Sequence, residues 1–160
     1  MKREECAVER RLVAACKEKG VTVATAESCT GGLVAGRITS VPGASAVFVG
    51  GVVSYANAVK RDVLGVPQEV LDRVGAVSAE CAEAMAQGAR ACLKAGVAVS
   101  VTGIAGPDGG TPQKPVGLVY LGVATAAGVW TECLRFSGDR EAIRRQAVEG
   151  ALELLLKAVG

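Results

Sequence analysis

The chemistry this chain offers starts with a hydroxyl, an amine and two glycine-rich turns. Ser28 lies in Glu27-Ser28-Cys29-Thr30-Gly31-Gly32, between a short apolar run and a helix-like segment. A serine on a strand-to-helix turn sits near a helix N-terminus. Backbone N–H groups there, aided by the helix dipole, can meet a developing oxyanion. The Gly-x-Ser-x-Gly spelling of a nucleophile elbow is missing, because Ala26 and Thr30 occupy the glycine places. The same residues also fit a plain cap, in which Ser28 or Thr30 merely closes the helix.

A serine nucleophile needs a base, and the chain contains no histidine. That removes a Ser-His-Asp triad, a Cys-His pair and any His-ligated metal. Lys60, in Ser54-Tyr55-Ala56-Asn57-Ala58-Val59-Lys60, has apolar sequence neighbours in Ala58, Val59, Val63 and Leu64. Burial among them would lower its pKa from about 10.4 toward the range of a working base. By spacing alone an exposed lysine beside Arg61 on a short helix is the more common reading. Cys29 is a rival nucleophile, since a helix N-terminus can lower a thiol pKa.

Two further segments carry recognition chemistry. Thr102-Gly103-Ile-Ala-Gly106-Pro-Asp-Gly-Gly-Thr111 follows an apolar run, and its amides could cradle a phosphate or carboxylate. It lacks the Gly-Lys-Ser/Thr ending of a Walker A loop, and no helix follows as a dinucleotide fingerprint requires. Ser137-Gly-Asp-Arg140 opens a helical pattern that places Arg140 and Arg144 on one face, suited to an anion or to plain solvation.

Composition limits the rest. The 160 residues suit one domain, 1–160; 50% are apolar and only 3% aromatic, so the core must be built from Val, Ala, Leu and Ile. A net charge of +2 gives no basic footprint, and the few aromatics give no stacking platform, so nucleic acid is not an expected partner. No apolar run reaches membrane-spanning length and the charged start is no secretory signal, which predicts a cytoplasmic protein without a membrane partner. The cysteines Cys6, Cys16, Cys81, Cys92 and Cys133 read as small buried hydrophobes, Cys29 being set apart, and no metal or cofactor is expected. The apolar surplus predicts a homo-oligomer.

Periodicity supplies the elements that must hold these residues. Helices are expected over Glu4–Lys19, closed by Gly20, and over Leu33–Thr39, Asn57–Leu64, Pro67–Val74, Ala79–Lys94 and Glu141–Ala158. Ser78 should cap the fifth and Gly96 end it. Strands are expected over Val21–Ala26, Ala46–Tyr55 with a bulge at Gly50-Gly51, Val97–Val101, Val116–Thr125 and Val129–Phe136. The last two should form a hairpin turning at Ala127-Gly128. Early alternation with a late hairpin predicts an α/β fold, a three-layer α/β/α sandwich with a mixed, mostly parallel sheet.

Taken together these segments resemble the CinA C-terminal domain family, the nicotinamide-nucleotide amidohydrolases, in its stand-alone form. The resemblance rests on Thr25-Ala-Glu-Ser-Cys-Thr-Gly-Gly32, Gly51-Val-Val-Ser-Tyr-Ala-Asn-Ala-Val-Lys60, Gly75-Ala-Val-Ser78, Thr102-Gly-Ile-Ala-Gly-Pro-Asp-Gly-Gly110, Lys114-Pro-Val-Gly117 and Phe136-Ser-Gly-Asp-Arg140. It implies metal-free hydrolysis of the carboxamide of nicotinamide mononucleotide to nicotinate mononucleotide and ammonia. It further implies Ser28 as nucleophile, Lys60 as base and Tyr55 as an aid to proton transfer. On that reading the amides of Cys29, Thr30, Gly31 and Gly32 hold the oxyanion, and Thr102, Gly103, Gly106, Arg140 and Arg144 hold the substrate. Some relatives carry an acidic residue two places before the lysine, where this chain has Ala58. The alternative is a catalytically silent nucleotide-binding module of the same fold.

Overall fold

Val, Ala and Gly dominate the runs that become strands, and this composition sets how closely helices can approach the sheet. The computed structural model describes residues 7–160. Its five strands are β1 (Val23–Glu27), β2 (Phe48–Val53), β3 (Val97–Gly103), β4 (Leu118–Thr125) and β5 (Gly128–Arg135). Its six α-helices are α1 (Val8–Lys19), α2 (Leu33–Thr39), α3 (Asn57–Asp62), α4 (Gln68–Arg73), α5 (Ala79–Leu93) and α6 (Arg140–Val159), with a 3-10 turn at Ala44–Ala46.

The sheet order is β2-β1-β3-β4-β5. β1 pairs in parallel with both β2 and β3, while β4 is antiparallel to β3 and β5. All strands but β4 therefore run one way, as expected of a mixed, mostly parallel sheet. One apolar cluster joins α1, α2 and α6 to one face through residues such as Leu12, Ile38, Val99, Leu121 and Leu152. A second joins α5 and the α3–α4 segment to the other through Leu64, Met85, Ala24, Ala26 and Ala98. These are the three layers.

Small residues make the second interface tight. A Cβ on Gly88 of α5 would collide with the Leu64 backbone. A Cβ on Gly122 of β4 would stand 2.5 Å from the Ala82 carbonyl oxygen and 2.6 Å from Ser100 Oγ. Ser100 donates to that carbonyl at 2.5 Å, and Thr102 donates to the Ala76 carbonyl at 2.9 Å. Two hydroxyls buried in an apolar strand are thereby satisfied by the helical layer.

The observed elements differ from the sequence expectations at their ends. The first three residues of the expected helix 4–19 lie outside the described residues, as does Cys6. The irregularity in β2 falls just before the glycine pair, with Val23 opposite Phe48 and Ala24 opposite Gly50, which leaves Val49 as the extra residue. α5 is capped by Ser78, whose hydroxyl accepts from Cys81 N. It ends in a left-handed Lys94 rather than at Gly96, because Gly96 is held by Thr22, against whose carbonyl a Cβ would press. The hairpin turns at Ala126-Ala127, since Gly128 already pairs with Thr125.

β1 sits between β2 and β3. The chain leaves β1 through α2 toward β2, whereas it leaves β3 toward β4 on the other side. Neighbouring parallel strands whose continuations diverge open a crevice at their carboxyl ends. Ser28 begins the segment after β1, Ser54-Tyr55 follow β2, and the Gly103–Pro115 loop leaves β3. The topology thus gathers at one edge three of the segments singled out by their chemistry.

The Gly122 contact leads to a testable expectation. Gly122→Ala should destabilise the fold by about 1–3 kcal/mol, since a backbone carbonyl and a strand must move apart to admit one methyl group. Urea unfolding would read this as a lower midpoint at unchanged slope.

Candidate active site

Ser28 is fixed by the main chain before its side chain does anything. Its N–H donates to Val101 O of β3 at 2.9 Å, and its carbonyl accepts from Gly31 N at 3.1 Å, which closes a tight turn. Gly31 and Gly32 follow with φ of 60° and 106°, backbone that a side chain would strain. Gly32 then caps α2. Ser28 is 9% exposed, so little more than its hydroxyl reaches the crevice.

Lys60 comes from α3 and is buried, at 1% exposure. Its Nζ donates to the carbonyls of Ser54 at 2.6 Å and Tyr55 at 3.0 Å, and it lies 3.0 Å from Ser28 Oγ. Among the described residues no carboxylate lies within ion-pairing distance of it. Burial pushes its pKa down from the ordinary 10.5, opposed weakly by the Cys81 and Cys29 thiols. A neutral amine has two hydrogens and one lone pair. With both hydrogens given to carbonyls, the lone pair is left for the Ser28 hydroxyl, the arrangement a general base needs.

Cys29 shares the turn, at 6% exposure. Burial pushes its thiol up to about 11, against the weaker opposing pull of the Arg144 cation. Ser28 therefore has an amine beside its hydroxyl, while burial disfavours the thiolate of Cys29.

The other expected site residues divide. Gly103, Gly106, Arg140 and Tyr55 line a cleft of about 190 Å³ together with Ser28, Cys29 and Asp108. Arg140 donates to Gly106 O at 2.8 Å and so ties α6 to the β3 loop. Tyr55 lends its carbonyl to Lys60, while the residue is 63% exposed at the cleft wall. Thr102 faces the opposite layer, bonded to Ala76 O. Arg144 lies behind the turn, donating to Cys29 O at 3.0 Å and Thr30 O at 3.4 Å, and it lines a neighbouring hollow with Leu33, Arg37 and Arg145. Thr30, Gly31 and Gly32 shape the turn rather than the wall.

One expectation about the oxyanion changes. The first free amides of α2, Val34 N and Ala35 N, are taken by the Glu27 carboxylate at 2.8 and 3.1 Å. The helix N-terminus is thus closed by a side chain. Gly31 N is spent on Ser28 O, whereas among the described residues the amides of Cys29, Thr30 and Gly32 make no hydrogen bond, and the first two follow Ser28 directly. Glu27, Ser54 and Asp108 were missed as site residues. Glu27 had a visible signal, an acid closing an apolar strand before a Gly-Gly turn; the backbone roles of Ser54 and the aim of Asp108 had none.

Elsewhere Cys16 and Cys81 are buried, as expected, but Cys92 and Cys133 are exposed. No group of three or more His, Cys, Asp or Glu comes together as a metal site among the described residues. Among the same residues no helix is long and apolar enough to cross a membrane. Iodoacetamide at pH 8 should therefore modify Cys92 and Cys133 in the native protein and leave Cys29 intact, as read by peptide mass mapping.

Comparison with known proteins identifies the family. The family model described as the CinA C-terminal domain matches residues 5–159. A putative competence-damage inducible protein of Desulforudis audaxviator is 53% identical over 137 residues, 86% of this chain and 33% of that relative. A CinA-like protein of Geobacter sulfurreducens is 55% identical over 139 residues, 87% of this chain and 34% of that relative. The chain spans about a third of the length of these curated relatives. Among solved structures, the competence/damage inducible protein CihA from Agrobacterium tumefaciens superposes with a TM-score of 0.92 at 47% identity, covering 95% of this chain and 93% of its own. A CinA superfamily protein from Klebsiella pneumoniae gives 0.91 at 34% identity, covering 95% of both chains. With the match running from one end of the described fold to the other, this chain belongs to the CinA C-terminal domain family.

Proposed function

We propose that this domain hydrolyses the carboxamide of nicotinamide mononucleotide, giving nicotinate mononucleotide and ammonia, with Ser28 as nucleophile and Lys60 as general base. The observation that carries the reading is the 3.0 Å contact between Ser28 Oγ and a buried Lys60 Nζ whose other partners are two carbonyls. Lys60 takes the hydroxyl proton as Ser28 Oγ bonds to the amide carbon. The Cys29 and Thr30 amides face the oxyanion that forms. The C–N bond breaks, and ammonia leaves with the proton that Lys60 returns. Water then bonds to the ester carbon, giving a proton to Lys60; the C–Oγ bond breaks, Lys60 returns that proton to Ser28 Oγ, and the nicotinate carboxyl group leaves and ionises. Tyr55, at the cleft edge, is placed to assist the leaving nitrogen through its phenol.

The charges at the cleft fit such a substrate. Nicotinamide mononucleotide joins a cationic ring to an anionic phosphate, and the cleft is lined by one carboxylate, Asp108, and one guanidinium, Arg140. Arg140 on the phosphate and Asp108 toward the pyridinium and ribose would orient the carboxamide at Ser28. Arg144 is committed to the turn carbonyls, which makes it the weaker candidate for the phosphate.

Ammonia release from nicotinamide mononucleotide should fall by at least about a thousandfold in Ser28→Ala and in Lys60→Arg, whose guanidinium cannot give up its proton near neutral pH. Near-normal turnover in both variants would refute the dyad. A silent binding module would instead show ligand-induced thermal stabilisation and no product. Because the free base is the active form, kcat/KM should rise with pH, with its midpoint below 10.5. The sign of the stability linkage follows. Between the lowered folded pKa and 10.5 the unfolded chain binds a proton that the native state does not, so stability gains from Lys60 as pH rises through that window. Asp108→Asn should raise KM about tenfold with kcat little changed, as expected for loss of one charged binding contact.

A further inference from the structure

Glu27 is a carboxylate at 1% exposure that no step above uses. Its Oε1 accepts from Thr30 Oγ1 at 2.6 Å and from Val34 N at 2.8 Å, and its Oε2 accepts from Ala35 N at 3.1 Å. One side chain therefore spans the whole nucleophile turn, from the residue before Ser28 to the first turn of α2. The main chain of the same residue reaches the base. Glu27 O accepts from Ser54 N at 2.8 Å and Ser54 Oγ at 3.4 Å, and the Ser54 carbonyl in turn holds Lys60 Nζ at 2.6 Å.

We propose that Glu27 is a positioning residue for the reaction: its carboxylate fixes the 28–32 turn while its carbonyl registers the Ser54 segment, so that nucleophile and base are set from a single residue. This rests on the reading of Ser28 as nucleophile. The carboxylate also occupies the end of α2 in place of the substrate. Buried donors at a helix start must be matched, and the two Glu27 oxygens accept from Val34 N and Ala35 N. The oxyanion is thereby assigned to the Cys29 and Thr30 amides, whose aim depends on the same turn. Loss of the anchor then acts on the rate of bond formation at Ser28 and leaves the cleft wall of Gly103, Gly106 and Arg140 in place.

Glu27→Gln keeps size and one carbonyl oxygen but sets an amide NH2 against a backbone N–H. Thr30→Val removes one donor to the carboxylate and leaves the two helix amides bonded. Both should be compared with wild type in two assays. The first is sulfonylation by phenylmethanesulfonyl fluoride, followed by mass. Ser28 Oγ bonds to sulfur, the S–F bond breaks, fluoride leaves, and the hydroxyl proton passes to Lys60. The second is turnover of nicotinamide mononucleotide. Glu27→Gln should slow labelling and lower kcat by at least about tenfold with KM held within about twofold, the pattern of misplaced reacting atoms rather than lost binding. Thr30→Val should lose about threefold to tenfold. Glu153→Gln, remote on α6, should match wild type. Folded Glu27→Gln labelling at the wild-type rate would overturn the inference. If that variant fails to fold, wild-type labelling of Thr30→Val overturns it instead. A wild-type chain sulfonylated on no serine overturns the nucleophile reading and this inference with it. Labelling of wild type without ammonia release overturns the substrate alone.

Discussion

The site is organised around one amine buried inside the protein. An ammonium at 1% exposure with no carboxylate partner is costly, and Lys60 is given none among the described residues. The fold offers instead two carbonyls, which accept the two hydrogens of the free base and soften the charge when a third proton arrives. An acidic partner would raise the lysine pKa and keep the amine protonated. The alanine at position 58 is consistent with this, since it adds no competing charge to α3. The same burial that lowers the Lys60 pKa pushes the neighbouring Cys29 thiol toward its neutral form.

The sheet turns that electrostatic condition into geometry. β1, β2 and β3 end side by side and deliver the nucleophile, the carbonyl cradle and the glycine-rich wall. The antiparallel β4 and β5 contribute no chemistry. Gly122 and Ser100 hold α5 close to the sheet, and α5 with Leu64 and Met85 encloses the layer in which Lys60 lies. Small residues are thus a requirement of the site as well as of the core.

Much of this was legible in the sequence, and the exceptions share a cause. Strand and helix order and the Ser78 cap follow from periodicity and local chemistry, while the pairing of Ser28 with Lys60 is suggested by the absence of histidine and made the leading reading by the family resemblance. What was missed depends on contacts between segments distant in sequence or, for Glu27, on backbone partners close by. Lys94 ends α5 because Gly96 is engaged by Thr22, 74 residues away. Thr102 belongs to the structural layer because strand alternation turns it toward Ala76. Arg144 braces the nucleophile turn from more than a hundred residues downstream, where helix spacing alone grouped it with Arg140. Glu27 looked like motif spelling because its partners are mostly backbone amides, which carry no letter in the sequence.

The cradle of Lys60 is likewise made of main chain, the carbonyls of Ser54 and Tyr55. Every residue type supplies a carbonyl, so no point substitution can delete either acceptor. Lesions at positions 54 and 55 act only by shifting the backbone or altering what the side chains touch. Substitution at 27, 28 or 60 can remove a side chain from the site, whereas two of the three partners of Lys60 Nζ belong to the shape of the main chain.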